Sequence, residues 1–412
     1  MKSIATLACA LPLAASAELR SLSLFDGEDL AAWIGDGYVV EDGTLVCTPE
    51  GRNLVTRSIF ANYAFDFEFK LPPGGNNGIG ILYPGEGDAA YTGIEVQILD
   101  NGAEQYADLL PAQYHGSLYK LAAAKEAPLK PTGEWNQERI VVNGSQVQVT
   151  LNGELINQAD LDELNRRFPD HAGARHRAGH LALCGHGDPV AFRNLRIAEM
   201  PPAANDAGAA AAGFVRIFDG ESLDGWRAAP GDEGHWVPLN GILKYDGRSE
   251  SKDKDLWSEK EYGDFTLAFD WRWSAPGPVM KRPVIGVDGR ETGKQVEVQE
   301  LDSGIYLRGS SKSQVNLWNW PCGSGEVYGY RTDPDQPAEV VAGVTPRAKA
   351  DKPVGEWNRM LITMKGDRLS VSLNGLEVIR EATLPGVARK GRIALQHHGT
   401  PIDFANLWIK EL

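Results

Sequence analysis

The sequence predicts an all-β protein built from two tandem β-sandwiches or jelly rolls. Three observations predict this fold class: a long internal repeat, many short segments in which apolar and polar residues alternate, and very little helical periodicity. Alternation with a period of two gives each sheet one apolar face, so two such sheets bury each other. The chain has 412 residues, 42% of them hydrophobic, which is enough for two domains with separate cores.

The first residues are typical of a secretory signal. Residues 1–17, MKSIATLACALPLAASA, combine a lysine, an apolar stretch and small residues in an A-x-A arrangement. A short N-terminal anchor is the alternative. No later segment has the roughly 20 consecutive apolar residues of a membrane span. We therefore expect a periplasmic or extracellular protein without a membrane span.

The internal repeat defines two domains. Four motifs of the first half return in the same order in the second: FDGEDLAAW (25–33) as FDGESLDGW (218–226), GEWN (133–136) at 355–358, LNG (151–153) at 373–375, and the segment 179–200 at 391–412. The distance between copies differs from motif to motif, so loops have changed length after a duplication. The repeat predicts domains at 18–199 and 214–412, joined by an Ala-, Pro- and Gly-rich linker at 200–213.

Four segments carry the clearest strand patterns, two in each domain. They are 63–71, 146–153, 264–273 and 368–375. The second and fourth end in Asn-Gly, which predicts a hairpin turn. The one helix that the sequence predicts lies at 159–168.

Charge and cysteine content exclude several classes of function. The net charge of −15 opposes binding to nucleic acid, which requires clustered Lys and Arg. Cys9 lies in the signal segment, which leaves three thiols: Cys47, Cys184 and Cys322. A disulfide between Cys47 and Cys184 is one interpretation, and three buried thiols are the other.

The first domain carries a polar strand face in GIEVQILDN. Glu95 and Gln97 are two residues apart, so they share a face, with Asp100 next in the segment. A carboxylate beside an amide can bind sugar hydroxyls or hold a proton for acid–base chemistry. Tyr114 and His115 follow nearby and join the candidates. An ordinary solvated face is the alternative.

The second domain is rich in tryptophan and amides. Gln314, Asn316 and Trp318 share one strand face, and Arg308 lies on the preceding strand. Aromatic rings beside amides suit a pyranose, whose CH face stacks on the ring. We expect Trp318 and Trp320 near a surface site. Other tryptophans are expected in the core: Trp257, Trp271, Trp273, Trp357 and Trp408.

One histidine position is common to both copies. His186 aligns with His398, and Gln396 and His397 precede the latter. An unperturbed imidazole titrates near pH 6.5, so His186 and His398 are the candidate bases. A structural histidine beside the following turn is the alternative. No metal-ligand spacing is recognisable, no cofactor is certain, and a divalent cation is left open.

Taken together, FDGESLDGW, EVQILDN, GEWN, LNG and QHHGTPIDFANLWIKEL resemble the family DUF1080, also called the 3-keto-disaccharide hydrolase domain. The resemblance covers nearly the whole chain after residue 17, twice. It implies a concanavalin A-like or laminin G-like jelly-roll sandwich in a secreted protein. It also implies cleavage of glycosides oxidised to a ketone at carbon 3, and a functional link to a sugar 3-dehydrogenase that makes them.

This chemistry fits the candidate residues. A 3-ketone acidifies the proton on carbon 2, so a histidine can remove it, and the enolate can expel the substituent on carbon 1. We assign this role to His186 or His398, with Glu95 and His115 as further acid–base candidates. Direct hydrolysis by paired carboxylates is disfavoured because Gln97 stands where a second acid is needed. A non-catalytic carbohydrate-binding protein is the competing hypothesis.

Overall fold

The computed structural model describes residues 19–126 and 128–412. The predicted signal segment and Cys9 lie outside this part of the chain. The described residues contain 28 β-strands and five short α-helices, so the all-β prediction is confirmed.

The first domain pairs an eight-stranded sheet with a five-stranded sheet, all strands antiparallel. The larger sheet has the order β11-β10-β9-β6-β13-β4-β3, with β1 beside β13, and the smaller has the order β2-β5-β12-β7-β8. Its strands are β1 (Leu22–Ser23), β2 (Trp33–Ile34), β3 (Tyr38–Glu41), β4 (Thr44–Cys47), β5 (Leu54–Thr56), β6 (Tyr63–Lys70), β7 (Asn76–Tyr83), β8 (Ile94–Leu99), β9 (Trp135–Asn143), β10 (Gln146–Leu151), β11 (Glu154–Asp160), β12 (His180–Gly185) and β13 (Ala191–Glu199). Its helices are α1 (Ala89–Thr92) and α2 (Leu161–Arg167).

The second domain repeats both sheets in the same strand order. Its larger sheet is β16-β17-β28-β19-β24-β25-β26 with β14 beside β28, its smaller sheet is β15-β18-β27-β22-β23, and β20-β21 forms a separate hairpin. Its strands are β14 (Val215–Arg216), β15 (Trp226–Arg227), β16 (Trp236–Leu239), β17 (Ile242–Tyr245), β18 (Leu256–Tyr262), β19 (Phe265–Trp273), β20 (Val279–Ile285), β21 (Glu291–Gln299), β22 (Asp302–Leu307), β23 (Ser310–Trp318), β24 (Asn358–Lys365), β25 (Arg368–Leu373), β26 (Leu376–Thr383), β27 (Gly391–Leu395) and β28 (Ile402–Glu411). The helices α3 (Asp206–Ala211), α4 (Tyr328–Arg331) and α5 (Ala338–Gly343) complete the list.

Alternation along the strands builds the core of each sandwich. In β6, Phe65, Phe67 and Phe69 are at most 3% exposed, whereas Asp66 and Glu68 face outward. Burial of each phenylalanine contributes about 1.5–3 kcal/mol relative to an exposed ring. The four strands with the clearest patterns all form as predicted, as β6, β10, β19 and β25.

The turns and the predicted helix also form. Asn152 and Gly153 both have positive φ, which is the backbone of the Asn-Gly hairpin turn. Helix α2 lies inside the predicted range. It begins directly after Asp160, whose side chain accepts hydrogen bonds from backbone N–H groups of the first turn. Helix α3 lies within the segment 200–213, whose composition predicted a linker.

The three thiols of the described residues are buried and unpaired, so the disulfide between Cys47 and Cys184 does not form. In the part of the chain that the structure describes, no helix has the length and apolar character needed to span a membrane.

A buried ionic cluster joins the two sandwiches. Glu199, the last residue of β13, binds Arg272 and also accepts from Lys244 Nζ at 2.7 Å. Asp403 completes the cluster at 2.7 Å from Arg272. Burial alone would raise the pKa of Glu199, but the two cations outweigh it and lower that pKa. Glu199, Arg272 and Asp403 are at most 3% exposed, so loss of any one of them would leave an uncompensated buried charge between the domains.

Candidate active site

The polar residues predicted on β8 lie on the outer face of the five-stranded sheet, the face turned away from the other sheet. Ile94, Val96 and Ile98 point into the core, so Glu95 and Gln97 point outward. Both are nevertheless only 4–5% exposed, because other side chains of the same face surround them. They form a built polar site and not a solvated strand face.

Glu95 contacts His186, which follows the end of β12. Glu95 Oε1 lies 3.4 Å from His186 Nε2, and the imidazole is 42% exposed while the carboxylate is 6% exposed. The hydrogen bond to Glu95 raises the pKa of His186. A buried acid therefore holds a solvent-accessible base, an arrangement that suits proton transfer.

Amide groups extend this pair. Gln97 Nε2 donates to Asn76 Oδ1 at 2.7 Å, which fixes both amides at the start of β7. The backbone N–H of Asn76 donates to Asp188 Oδ2 at 3.0 Å, which ties the strand to the turn that carries His186. One amide proton of Gln97 and both amide protons of Asn76 stay available for a ligand oxygen.

Gly78 makes room for the carboxylate. A Cβ placed on Gly78 would lie 1.9 Å from Glu95 Oε1, so Glu95 lies flat across the backbone of β7. Any side chain here would push the acid away from His186. The site thus depends on a glycine that carries no chemistry itself.

The second domain repeats the site with a different acid. His398 Nδ1 lies 3.6 Å from Asp302 Oδ2, and Gln314 Nε2 donates to Gln396 Oε1 at 2.6 Å. Burial raises the pKa of Asp302 to about 6, although His398 acts in the opposite direction. Here too a glycine clears the face, because a Cβ on Gly304 would lie 2.2 Å from Gln314 Nε2.

The strand register shows that the acid has moved between copies. Gly78 pairs with Gln97, and Gly304 pairs with Asn316, so Gly78 and Gly304 are equivalent. By the same register Gln314 replaces Glu95, and Asp302, two residues before Gly304, replaces the amide of Asn76. Each domain keeps one carboxylate beside its histidine, but the carboxylate comes from a different strand.

A second carboxylate lies beneath the second-domain site. Glu326 is fully buried, binds Arg331, and lies 3.5 Å from the Asn316 Nδ2. Burial raises the pKa of Glu326 to about 7, and the Coulombic effect of Asp302 adds to this. Burial thus raises the pKa values of two carboxyl groups at this site, Asp302 and Glu326, as is common at functional sites.

The sequence predicted that Trp318 and Trp320 lie near a surface site. This prediction is wrong for Trp318, which is 2% exposed. The two indoles stack 4.3 Å apart at an angle of 6°, and the Arg282 guanidinium lies over the Trp320 ring at 4.9 Å. Ile285 of the β20-β21 hairpin packs on the same cluster. These contacts occupy the ring faces that were expected to stack on a sugar.

His115 does not lie with Glu95. Its imidazole is in the core, with Nε2 at 3.0 Å from Glu138 Oε2 and the Phe69 ring 5.2 Å away. The backbone N–H of Leu99 donates to Nδ1, so the neutral imidazole carries its proton on Nε2. This buried position contradicts the role of His115 as an acid–base group in contact with substrate.

Four other candidate residues make hydrogen bonds or packing contacts within the protein: Arg308, Asp100, Tyr114 and His397. The Arg308 side chain binds Asp264 and three backbone carbonyls and is 1% exposed, which leaves it no free donor face for a sugar. Asp100 accepts from the N–H of Gly74, and the Tyr114 hydroxyl donates to the carbonyl of Tyr106. His397 packs edge-on against Tyr245, away from Asp302, so only His398 of the two histidines belongs to the site.

The sequence interpretation missed four residues of these faces: Asn76, Asp302, Trp257 and Tyr306. Trp257 was expected in the core, yet it is partly exposed and faces outward between the buried Leu256 and Ser258. Strict alternation in DLWSEK would have indicated this orientation. Trp271, Trp273, Trp357 and Trp408 are buried as predicted.

Among the residues that the structure describes, no three His, Cys, Asp or Glu side chains are grouped closely enough to hold a metal ion.

Comparison with known proteins gives a family. The 3-keto-alpha-glucoside-1,2-lyase-like domain matches this chain twice, at residues 21–198 and 213–410. A protein of Bacteroides thetaiotaomicron named 3-keto-disaccharide hydrolase is 26% identical over 223 residues, which cover 43% of this chain and 77% of the relative.

Two crystal structures of Parabacteroides distasonis proteins, provisionally assigned as glycosyl hydrolases, are each 26% identical to this chain. They cover 44% of this chain and 94% and 100% of their own chains, with TM-scores of 0.40 and 0.39. The repeated motif set and the two family matches agree. The chain belongs, in two tandem copies, to the 3-keto-alpha-glucoside-1,2-lyase-like family of carbohydrate-active enzymes.

Proposed function

We propose that this protein cleaves glycosides whose sugar carries a ketone at carbon 3. The observation that carries the proposal is that each domain holds a carboxylate beside its equivalent histidine, Glu95 with His186 and Asp302 with His398. Membership of the family and the name of the Bacteroides relative support the choice of substrate.

The histidine removes the proton on carbon 2, which the neighbouring ketone acidifies. In the first domain, Glu95 holds Nε2 of His186, so Nδ1 is the nitrogen that accepts the proton. In the second domain, Asp302 faces Nδ1 of His398, so Nε2 accepts it. The carboxylate stabilises the imidazolium that forms, as a buried acid does for a catalytic histidine elsewhere.

The electron pair of the broken C–H bond forms an enolate and then expels the substituent on carbon 1. The departing oxygen takes a proton, and the sugar keeps a double bond between carbons 1 and 2. Addition of water across that bond restores the 3-keto sugar, so elimination and hydration together amount to hydrolysis. The Asn76 side chain, whose oxygen is held by Gln97, would donate its amide N–H to stabilise the enolate oxygen.

The test is release of the aglycone from a 3-keto-glucoside by the full chain. We expect His186→Ala and His398→Ala each to lower the rate and the double variant to abolish it. His176→Ala is the matched control, because this partly buried histidine binds a backbone carbonyl outside both sites. In D₂O, the product should carry deuterium on carbon 2.

Two results would contradict the proposal. Absence of release by the unmodified protein would favour a protein that only binds carbohydrate. Release that persists in the double variant would exclude both histidines as the base.

We also propose that the protein is exported, because residues 1–17 have the pattern of a cleaved signal. N-terminal sequencing of protein from the periplasm and the medium should give a chain that starts at Glu18. A cytoplasmic protein that retains residues 1–17 would contradict this.

A further inference from the structure

We propose that the second domain carries a saccharide-binding platform, formed by Trp257 and Tyr306, which the first domain lacks. Its ligand is an intact, unoxidised pyranose ring, bound through its apolar face. The place of this ring next to a reacting sugar rests on the proposed function, whereas binding itself does not.

The platform consists of two aromatic rings on the outer face of the smaller sheet. The ring centroids of Trp257 and Tyr306 are 5.8 Å apart and inclined at 55°, and both side chains are partly exposed. Trp257 Nε1 donates to Asp253 Oδ1 at 3.2 Å, which fixes the indole. Gln396 and Gln314 lie beside Tyr306 and supply the amides that sugar hydroxyls require.

A groove continues from Trp257 toward the far end of the sheet. Its volume is about 450 Å³, and charged side chains line it together with the indole: Arg227, Asp253, Glu261, Lys390 and Arg392. Charged and polar groups around an aromatic ring bind the hydroxyls at the rim of a stacked sugar. The groove therefore gives the platform room for a ring and the donors and acceptors to orient it.

The platform is too far from the acid–base pair to contact the same sugar. Asp302 and Tyr306 are four residues apart on β22 and share a face, which places them about 13 Å apart at 3.3 Å per residue. This distance exceeds the span of one pyranose ring. A ring over Trp257 and Tyr306 is thus a different ring from one that meets His398.

The first domain has no aromatic side chain at these positions. In the first domain, Val55 and Gly80 both pair with one alanine of β12. In the second domain, Trp257 and Tyr306 both pair with the equivalent alanine of β27. Val55 therefore replaces Trp257, and Gly80 replaces Tyr306. Neither replacement offers a ring on which a sugar could stack.

Helix α1 also fills the space that a sugar would need. A Cβ placed on Gly80 would lie 3.2 Å from the Cβ of Ala89, and Ala89 forms a buried cluster with Cys184 against which the partly buried Val55 packs. The loop that joins β7 to β8 spans 84–93 and carries this helix. The equivalent connection between β22 and β23 is only Arg308 and Gly309, so the second-domain face stays uncovered.

The test is calorimetric titration of the full chain with unoxidised sucrose, trehalose, cellobiose and maltose. We expect binding of at least one sugar, weakened at least tenfold by Trp257→Ala and by Tyr306→Ala. Trp257→Phe should weaken it less, because it keeps an aromatic ring. Trp135→Ala is the matched control, since this partly exposed indole lies under Arg193 on the larger sheet of the first domain.

Binding to none of the four sugars would overturn the proposal, and so would unchanged binding by folded Trp257→Ala and Tyr306→Ala proteins. If no 3-keto-glucoside is cleaved but the platform variants still lose sugar binding, the proposed function fails and the platform stands.

Discussion

Replacing Gly78 by alanine tests whether the contact between Glu95 and His186 drives the reaction of the first domain. The added Cβ would lie 1.9 Å from Glu95 Oε1 and 2.6 Å from its Cδ, whereas ordinary contact begins at 3.4 Å. The carboxylate must therefore retreat by about 1.5 Å, a displacement that breaks its 3.4 Å contact with His186 Nε2. A misplacement of about 1 Å in a catalytic group costs roughly 100-fold in rate.

We expect kcat/KM for aglycone release to fall about 100-fold, which corresponds to about 2.7 kcal/mol of transition-state stabilisation. The comparison is made in the His398→Ala background, so that only the first-domain site contributes. Overpacking should also lower the free energy of unfolding by about 1–3 kcal/mol. Urea unfolding separates this loss from the loss of activity.

Gly234→Ala is the control, because a Cβ there has no atom within 4 Å and the residue lies outside both acid–base sites. It should leave kcat/KM unchanged. Full activity in a folded Gly78→Ala protein would refute the assigned role of Glu95, and so would an inactive His398→Ala parent.

Three further predictions concern buried charges. Glu199→Gln should lower the free energy of unfolding by about 3–5 kcal/mol, because Arg272 loses a carboxylate partner. Thermal unfolding should then split into two transitions, and a single unchanged transition would contradict the prediction. Burial raises the pKa of Asp302 from 3.8 to about 6, so its ionisation opposes folding increasingly between about pH 4 and pH 6 and by a constant amount above pH 6. Asp302→Asn should thus stabilise the second domain by roughly 3 kcal/mol at pH 8, by about half of that at pH 5, and not at all below pH 4, as urea titrations can check. His115→Gln should lower the free energy of unfolding by about 1–3 kcal/mol, because the buried imidazole that accepts from the Leu99 N–H and lies 3.0 Å from Glu138 is lost, yet leave kcat of the folded protein within about twofold; a larger loss of kcat would return His115 to the site.

Much of the first-domain site was predictable from the sequence. The alternation in GIEVQILDN placed Glu95 and Gln97 on one face, and comparison of the two copies selected His186. These inferences succeed because a strand has a period of two, so sequence spacing fixes the face of each side chain.

The second-domain site was less predictable because its residues are distributed over strands far apart in sequence. Asp302 and His398 meet only when β22 pairs with β27, and no local pattern reports that pairing. Trp318 resembled a sugar-stacking residue, but the β20-β21 hairpin and Trp320 cover it.

The sequence by itself determined the all-β class, the duplication, the main strands and the faces of their side chains, because each depends on neighbours within a few residues. Only the tertiary structure decided which of those faces are open. Trp257 is partly exposed beside the two-residue turn that joins β22 to β23, whereas its counterpart Val55 packs against the buried cluster that contains Ala89 of α1. Cross-strand register and the packing of insertions set this outcome, and both join residues that the sequence keeps far apart.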